Sequence, residues 1–100
     1  MRSKRKPPRG GKTVQHEASS ASECGRALRS RRRGLGLTQA ELAALAGVGL
    51  AFMYELEQGK PTVRLDKLLD VARVLGLELR LTNGKRGFSV DESLRAERDT

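Results

Sequence analysis

The chain has 100 residues and carries 20 lysines and arginines against 12 aspartates and glutamates, a net charge of +8. This length allows one small domain, and the single cysteine and single histidine exclude an internal disulfide and a zinc site built within one chain. No apolar run resembles a signal sequence or a membrane span, so the sequence predicts a cytoplasmic protein that needs no cofactor.

The N-terminal residues 1–21 have the composition of a disordered basic arm. They contain two adjacent prolines and two adjacent glycines, and six of residues 2–12 are Lys or Arg. Such a segment buries too little surface to offset the entropy of ordering. Its charge favours a polyanion partner, nucleic acid before membrane, because the arm has no apolar face to insert into lipid. The only histidine, His16, lies in this arm, so no catalytic arrangement is expected and the protein is predicted not to be an enzyme.

A compact domain is predicted over residues 22–81, followed by a polar, flexible tail over 82–100. Its first helix is expected to run from an N-cap at Ser22 to about Arg33. One face of this helix carries the residues Cys24, Leu28, Arg32 and Leu35. Arg32 is the anomaly, because an arginine on an inward stripe requires a partner.

Residues 36–49, GLTQAELAALAGVG, predict a short helix that opens with a capping box between Thr38 and Glu41 and closes at Gly47. A further helix is predicted over Leu50–Gln58. Two short helices joined by a glycine-containing turn, with the second half exposed, describe a DNA-binding helix-turn-helix. The alternative is an ordinary helical hairpin within a bundle.

A fourth helix is predicted over about Leu65–Leu75, stopped by Gly76. Its expected buried stripe consists of Leu65, Leu68, Leu69, Ala72 and Leu75. The four helices are expected to close around a core formed by Leu28, Leu42, Leu45, Val48, Met53, Leu56, Leu68 and Leu75. The predicted fold class is therefore a compact all-α domain of four to five helices.

Residues 77–81, LELRL, alternate with the two-residue period of a half-buried strand. The residues expected on its apolar face are Leu77, Leu79 and Leu81. A strand needs a partner for its backbone groups. One candidate is a local hairpin through Asn83 and Gly84 to a return strand over residues 85–90. The other is the same strand of a second copy, which makes the protein a homodimer and enlarges a small core.

Two stretches of the chain resemble known DNA-binding proteins. The sequence GLTQAELAALAGVG…MYELEQGK resembles the Cro and lambda-repressor (XRE) type of helix-turn-helix, and GKPTVRLDKLLDVARVLGLEL resembles HipB-type antitoxins. The resemblance covers about residues 26–81. It implies a lambda-repressor-like fold in which the second helix of the motif reads DNA, with dimerisation through a shared sheet. It also implies an ion pair between Arg32 and Glu57.

The exposed positions of the motif are the candidate DNA contacts. On the recognition helix, residues suited to base edges, thymine methyl groups or phosphates are Gly49, Leu50, Ala51, Tyr54, Glu55 and Gln58. Residues suited to phosphates at the start of the preceding helix and after the recognition helix are Thr38, Gln39, Lys60 and Arg64. Gln39 matches a glutamine that members of the family use for a phosphate contact. Each of these residues is also compatible with a solvated surface.

The sequence thus favours a nucleoid-associated, homodimeric repressor that binds a palindromic operator. The resemblance implies an antitoxin that represses its own operon and neutralises a HipA-like kinase toxin. The alternative is an adaptor that binds RNA or protein through the basic arm, with the helix-turn-helix as a scaffold. A preference for one palindrome over random DNA distinguishes the two hypotheses.

Overall fold

The computed structural model describes residues 10–84 and 87–94 of the chain. Within them the chain forms four helices: α1 Gly10–Gly34, α2 Gln39–Ala46, α3 Leu50–Gln58 and α4 Leu65–Val74. α3 packs against α1 and α2, and α2 also packs against α4. None of these helices is long and apolar enough to cross a membrane. The all-α prediction is confirmed, and α2 and α3 are the two helices of the predicted motif.

Local backbone chemistry sets the ends of α2 and α3. The Thr38 hydroxyl accepts a hydrogen bond from the Glu41 amide at 3.0 Å, and the Glu41 carboxylate accepts one from the Thr38 amide at 2.8 Å. This is the predicted capping box, which satisfies two amides that the helix itself leaves free. Gly47 ends α2 with a φ of 73°, in the left-handed region that a side chain disfavours. These signals are short-range, and the observed bounds of α3 equal the predicted ones.

The core lies between the helices and is made of the buried residues Leu28, Leu42, Ala43, Met53, Leu56, Leu68, Val71 and Leu75. Four leucines predicted to face inward are exposed instead: Leu35, Leu45, Leu65 and Leu69. On α4 the buried positions 68, 71, 72 and 75 have the i, i+3, i+4, i+7 spacing of one helical face. Val71 is buried, whereas Leu69, which was predicted to be buried, is exposed. α4 carries more apolar residues than one helical face can bury, so some of them must face solvent.

α1 starts well before the predicted N-cap. Residues 10–21, predicted to belong to the disordered arm, are helical, and Ser22 lies inside α1. No proline lies between Pro8 and the end of α1 at Gly34, so nothing in the covalent chain interrupts a helix that the domain already anchors. Extending an existing helix is far easier than nucleating one, which the composition argument did not include. Residues 1–9 of the predicted arm lie outside the described residues.

The predicted C-terminal strand is absent from the part of the chain that the structure describes. Residues 77–84 have no strand pairing, and neither do residues 87–91. Leu77 is half-buried and packs against the core, whereas Leu79 is 50% exposed and Leu81 is fully exposed. Strand hydrogen bonds need a neighbouring strand, and this single chain supplies none for Leu79 and Leu81.

Part of the predicted tail is buried or helical. Val90 is buried, and residues 92–94 form a helical turn in which the Leu94 amide donates to the Asp91 carbonyl at 3.0 Å. Residues 85 and 86, which begin the predicted return strand, lie outside the described residues. The flexible tail was predicted from its polar composition, which does not specify whether a single valine is buried.

Candidate nucleic-acid interface

Two glycines bring α1 and the end of α3 into backbone contact. A Cβ atom on Gly25 would lie 2.5 Å from the carbonyl oxygen of Leu56 and 2.8 Å from that of Glu57. A Cβ atom on Gly59, whose φ is +87°, would lie 2.9 Å from the Cα atom of Ser22. Only glycine permits so close an approach at both positions. The contact holds one face of α3 against α1 and leaves the opposite face outward.

A buried ion pair ties α1, α2 and α3 together beside this contact. Arg32 donates from Nε to Glu57 Oε2 at 2.7 Å and from Nη2 to Oε1 at 3.1 Å, and its Nη1 donates to the Leu37 carbonyl at 2.6 Å. Gln39 Nε2 donates to Glu57 Oε1 at 3.0 Å. Arg32 and Glu57 are both buried, so each charge is stabilised by the opposite charge of the other. The network fixes the Gln39 side chain at the start of α2.

The outward face of α3 and its N-cap carry all six residues predicted to contact DNA from the recognition helix. Gly49, Leu50, Ala51, Tyr54, Glu55 and Gln58 are exposed. Leu50 and Tyr54 are 54% and 56% exposed, although side chains of this size are usually buried. Phe52 is half-buried and packs against the core, with the Lys67 ammonium 5.8 Å from its ring centroid. α3 is therefore amphipathic, with a packed face and an exposed one.

An open groove joins the outward face of α3 to the start of α2. Predicted site residues from both helices line it: Thr38, Gln39, Leu50, Tyr54 and Gln58. The Thr38 oxygen already accepts the capping hydrogen bond, which leaves its hydroxyl hydrogen to donate outward. The two halves of the motif thus present one continuous surface of donors, acceptors and apolar groups.

The two predicted phosphate contacts that carry a positive charge, Lys60 and Arg64, lie outside the groove and have carboxylate partners. Lys60 pairs with Glu55 at 3.2 Å, and Arg64 contacts Asp66 through two hydrogen bonds of 2.6 and 3.1 Å. The hydrogen bond from Arg64 lowers the pKa of Asp66, and the same bond raises the pKa of Arg64. Both pairs are exposed to water, where such pairs contribute little stability. Lys60 and Arg64 can therefore exchange these carboxylates for other anions.

Two arginines of α1 that the sequence analysis did not count among the DNA contacts also line the groove, Arg29 and Arg33. The helical period contains the signal that identifies them. Because Arg32 points toward Glu57, residues 29 and 33 lie about 60° and 100° round the helix on one side of it, and residue 31 lies about 100° round on the other. Arg31 accordingly donates to the Leu75 carbonyl, away from the groove.

The predicted dimerisation residues Leu77, Leu79 and Leu81 do not line this groove. Among the described residues no group of three or more His, Cys, Asp or Glu is placed to hold a metal ion. Burial raises the pKa of the Cys24 thiol, which packs against the core. The groove therefore brings together five of the ten predicted DNA contacts, from the start of α2 and from α3.

Comparisons with known proteins agree with this geometry. Residues 23–83 match the family model described as a helix-turn-helix domain. A protein of Sinorhizobium fredii, the uncharacterized HTH-type transcriptional regulator y4mF, is 43% identical to this chain over 58 residues. That alignment covers 58% of this chain and 76% of the relative.

Proposed function

The chain belongs to the helix-turn-helix domain family as a DNA-binding transcriptional regulator of the XRE kind, and we propose that it is a sequence-specific repressor. The observation that carries the proposal is the groove in which the outward face of α3 continues into the start of α2. A helix with an exposed apolar and hydrogen-bonding face fits the major groove, which is about 12 Å wide. Occupying an operator in this way blocks transcription from it.

Each part of the groove has a distinct role on DNA. Tyr54 and Gln58 donate and accept hydrogen bonds at base edges, and Leu50 and Ala51 pack against thymine methyl groups. Gln39, held by Glu57, contacts a phosphate at the start of α2, where the helix dipole favours negative charge. Phosphate contacts position α3, and base contacts select the sequence.

The repressor acts as a homodimer on a palindromic operator. Leu79 and Leu81 are exposed although both are apolar, and their backbone groups have no strand partner in the described residues. A shared antiparallel strand from a second copy covers these leucines and satisfies the backbone. The two-fold axis then places two copies of α3 in successive major grooves, about 34–36 Å apart.

The proposed biological role is that of an antitoxin that represses its own operon. Its support is the resemblance of GKPTVRLDKLLDVARVLGLEL to HipB-type antitoxins, which implies a HipA-like kinase toxin as partner. Co-expression with the product of the adjacent gene tests this role. A kinase-like product that co-purifies with the chain supports it, and a neighbouring gene of another kind contradicts the antitoxin role while leaving the repressor role intact.

The repressor proposal is tested by selecting duplexes from a random library with the full chain and then measuring variants on them. Tyr54→Ala and Gln58→Ala are each expected to weaken binding to the selected duplex by about 1–3 kcal/mol, because each removes a base contact. Binding to random duplex should change little. Thermal melting checks that both variants stay folded.

Arg73→Ala is the control, since Arg73 is an exposed α4 residue outside the groove. Its affinity for the selected duplex should equal that of the wild type. Equal losses on selected and random duplex for the α3 variants would show that α3 is not the reading helix. Failure to enrich any duplex, together with equal affinity for RNA, would favour the adaptor alternative.

A further inference from the structure

The arginine-rich segment RALRSRRR of α1 contains residues of two structural kinds. Arg31 and Arg32 have partners inside the fold: Arg31 donates from Nε to the Leu75 carbonyl at 2.9 Å, and Arg32 pairs with Glu57. The first hydrogen bond ties α1 to the end of α4, and the second ties it to α3. The packing of the domain accounts for these two side chains.

The packing does not account for Arg26, Arg29 and Arg33. All three are exposed, and none has an ion-pair partner in the part of the chain that the structure describes. They are three and four residues apart, so they lie on one face of α1, where like charges at this spacing repel one another. We call these three residues the arginine ridge. A charged row that weakens its own helix calls for an external partner.

The arginine ridge continues the groove described above. Arg29 and Arg33 line the groove together with Tyr54, Gln58 and the start of α2. A second, smaller depression along α1 is lined by Arg26, Arg29, Ser30 and Arg33. Because Arg29 and Arg33 belong to both, the positive surface runs without interruption from the reading face of α3 along α1.

We propose that the arginine ridge binds the sugar–phosphate backbone beside the base pairs that α3 reads. This inference rests on the proposed function and assigns α1 a part of the same interface. Guanidinium groups match phosphate oxygens through paired N–H donors, and a row along a helix follows a row of phosphates. The ridge supplies affinity that is independent of sequence and sensitive to salt, whereas α3 supplies selectivity.

The test is the salt dependence of DNA binding by the full chain, measured by fluorescence anisotropy from 50 to 200 mM NaCl. The variant is Arg29→Gln/Arg33→Gln, and the probes are the selected duplex and a random duplex. Loss of two phosphate contacts should lower the slope of log K against log salt by about 1.8 on both duplexes. The wild type should then lose about tenfold more affinity than the variant across this range.

A matched control removes the same charge elsewhere. Arg73→Gln/Arg80→Gln changes two exposed arginines that do not line the groove, and its slope should equal that of the wild type. A slope that falls equally in both double variants would overturn the proposal, because net charge alone would then explain the effect. Arg29→Lys/Arg33→Lys keeps the charge and should retain the wild-type slope, which provides a second folded reference.

The remaining outcomes separate this proposal from the proposed function. An unchanged slope for Arg29→Gln/Arg33→Gln overturns the role of the ridge even where α3 variants lose selectivity. If no duplex is enriched, the proposed function fails, and the random duplex still reports on the ridge. If Arg29→Gln/Arg33→Gln weakens binding to a structured RNA hairpin but leaves duplex binding unchanged, the role of the ridge on DNA is also overturned. Arg26→Gln alone should lower the slope by about 0.9. An unchanged slope in this variant would show that Arg26 does not contact a phosphate.

Discussion

The carboxylate of Glu57, on α3, accepts hydrogen bonds from side chains of two other helices. Two come from Arg32 on α1 and one from Gln39 on α2. Three elements of the domain therefore meet at one buried anion. Removing it leaves the Arg32 guanidinium buried without a counter-charge, and that cost exceeds what the pair itself contributes.

We expect Glu57→Ala to lower the free energy of unfolding by about 3 kcal/mol, because Arg32 is left buried and unpaired. Chemical denaturation of Glu57→Ala, Arg32→Ala and the double variant measures the loss and the coupling. The double variant should lose less than the sum of the single variants, since it removes both charges. A loss below about 0.5 kcal/mol for Glu57→Ala would mean that the pair behaves like surface charges.

Gly25 provides a second test at the residue scale. Gly25→Ala should lower the free energy of unfolding by about 1–3 kcal/mol, because the added methyl group would meet the Leu56 carbonyl oxygen 2.5 Å away. Gly34→Ala is the control in the same helix, where a Cβ atom has nothing within 4 Å. That substitution should be neutral or stabilise the helix by up to about 1 kcal/mol. Equal effects in the two variants would contradict the close contact between α1 and α3.

Among the elements, α2 shows how one short helix divides its leucines between core and surface. Leu42 is fully buried in the core, and Leu45, three residues later, is 63% exposed. The inward face of α2 is completed by Ala43, which is buried as well. Sequence patterning predicted both leucines to be buried, because both are apolar and both belong to a repeat of three to four residues.

The two leucines of α2 therefore make a matched pair of substitutions. Leu42→Ala should lower the free energy of unfolding by about 2–5 kcal/mol, since it opens a cavity in the core. Leu45→Ala should change it by less than about 0.5 kcal/mol, as expected of a surface position. Urea denaturation of the two variants measures the difference. Similar losses would place Leu45 in the core, as the sequence pattern predicted.

On the scale of the whole molecule, the exposed Leu79 and Leu81 connect the fold to the proposed dimer. Leu79→Pro should convert a dimer into monomers and abolish binding to the selected palindrome, because proline cannot donate to a strand ladder. Sedimentation velocity measures the assembly, and anisotropy measures the binding. Leu79→Val, which keeps an apolar residue suited to strands, should remain a dimer. A Leu79→Pro protein that still sediments as a dimer would exclude the shared strand.

The sequence by itself determined the helix-turn-helix motif and the exposed face of its second helix. The capping box of Thr38 and Glu41, the left-handed Gly47 and the bounds of α3 follow from short-range backbone chemistry, which neighbouring residues decide. The exposed face of α3 followed from the same local period. The resemblance to the XRE family added Glu57 as the expected partner of Arg32.

Only the tertiary structure decided which leucines are buried and which arginines are free. Leucines on adjacent faces of α4 satisfy the same periodicity, and the position of the other helices selects Val71 rather than Leu69. The arginines of α1 are chemically identical, and only the Glu57 carboxylate and the Leu75 carbonyl distinguish Arg32 and Arg31 from the arginine ridge. Burial and pairing depend on contacts between residues far apart in the chain, which local sequence patterns do not specify.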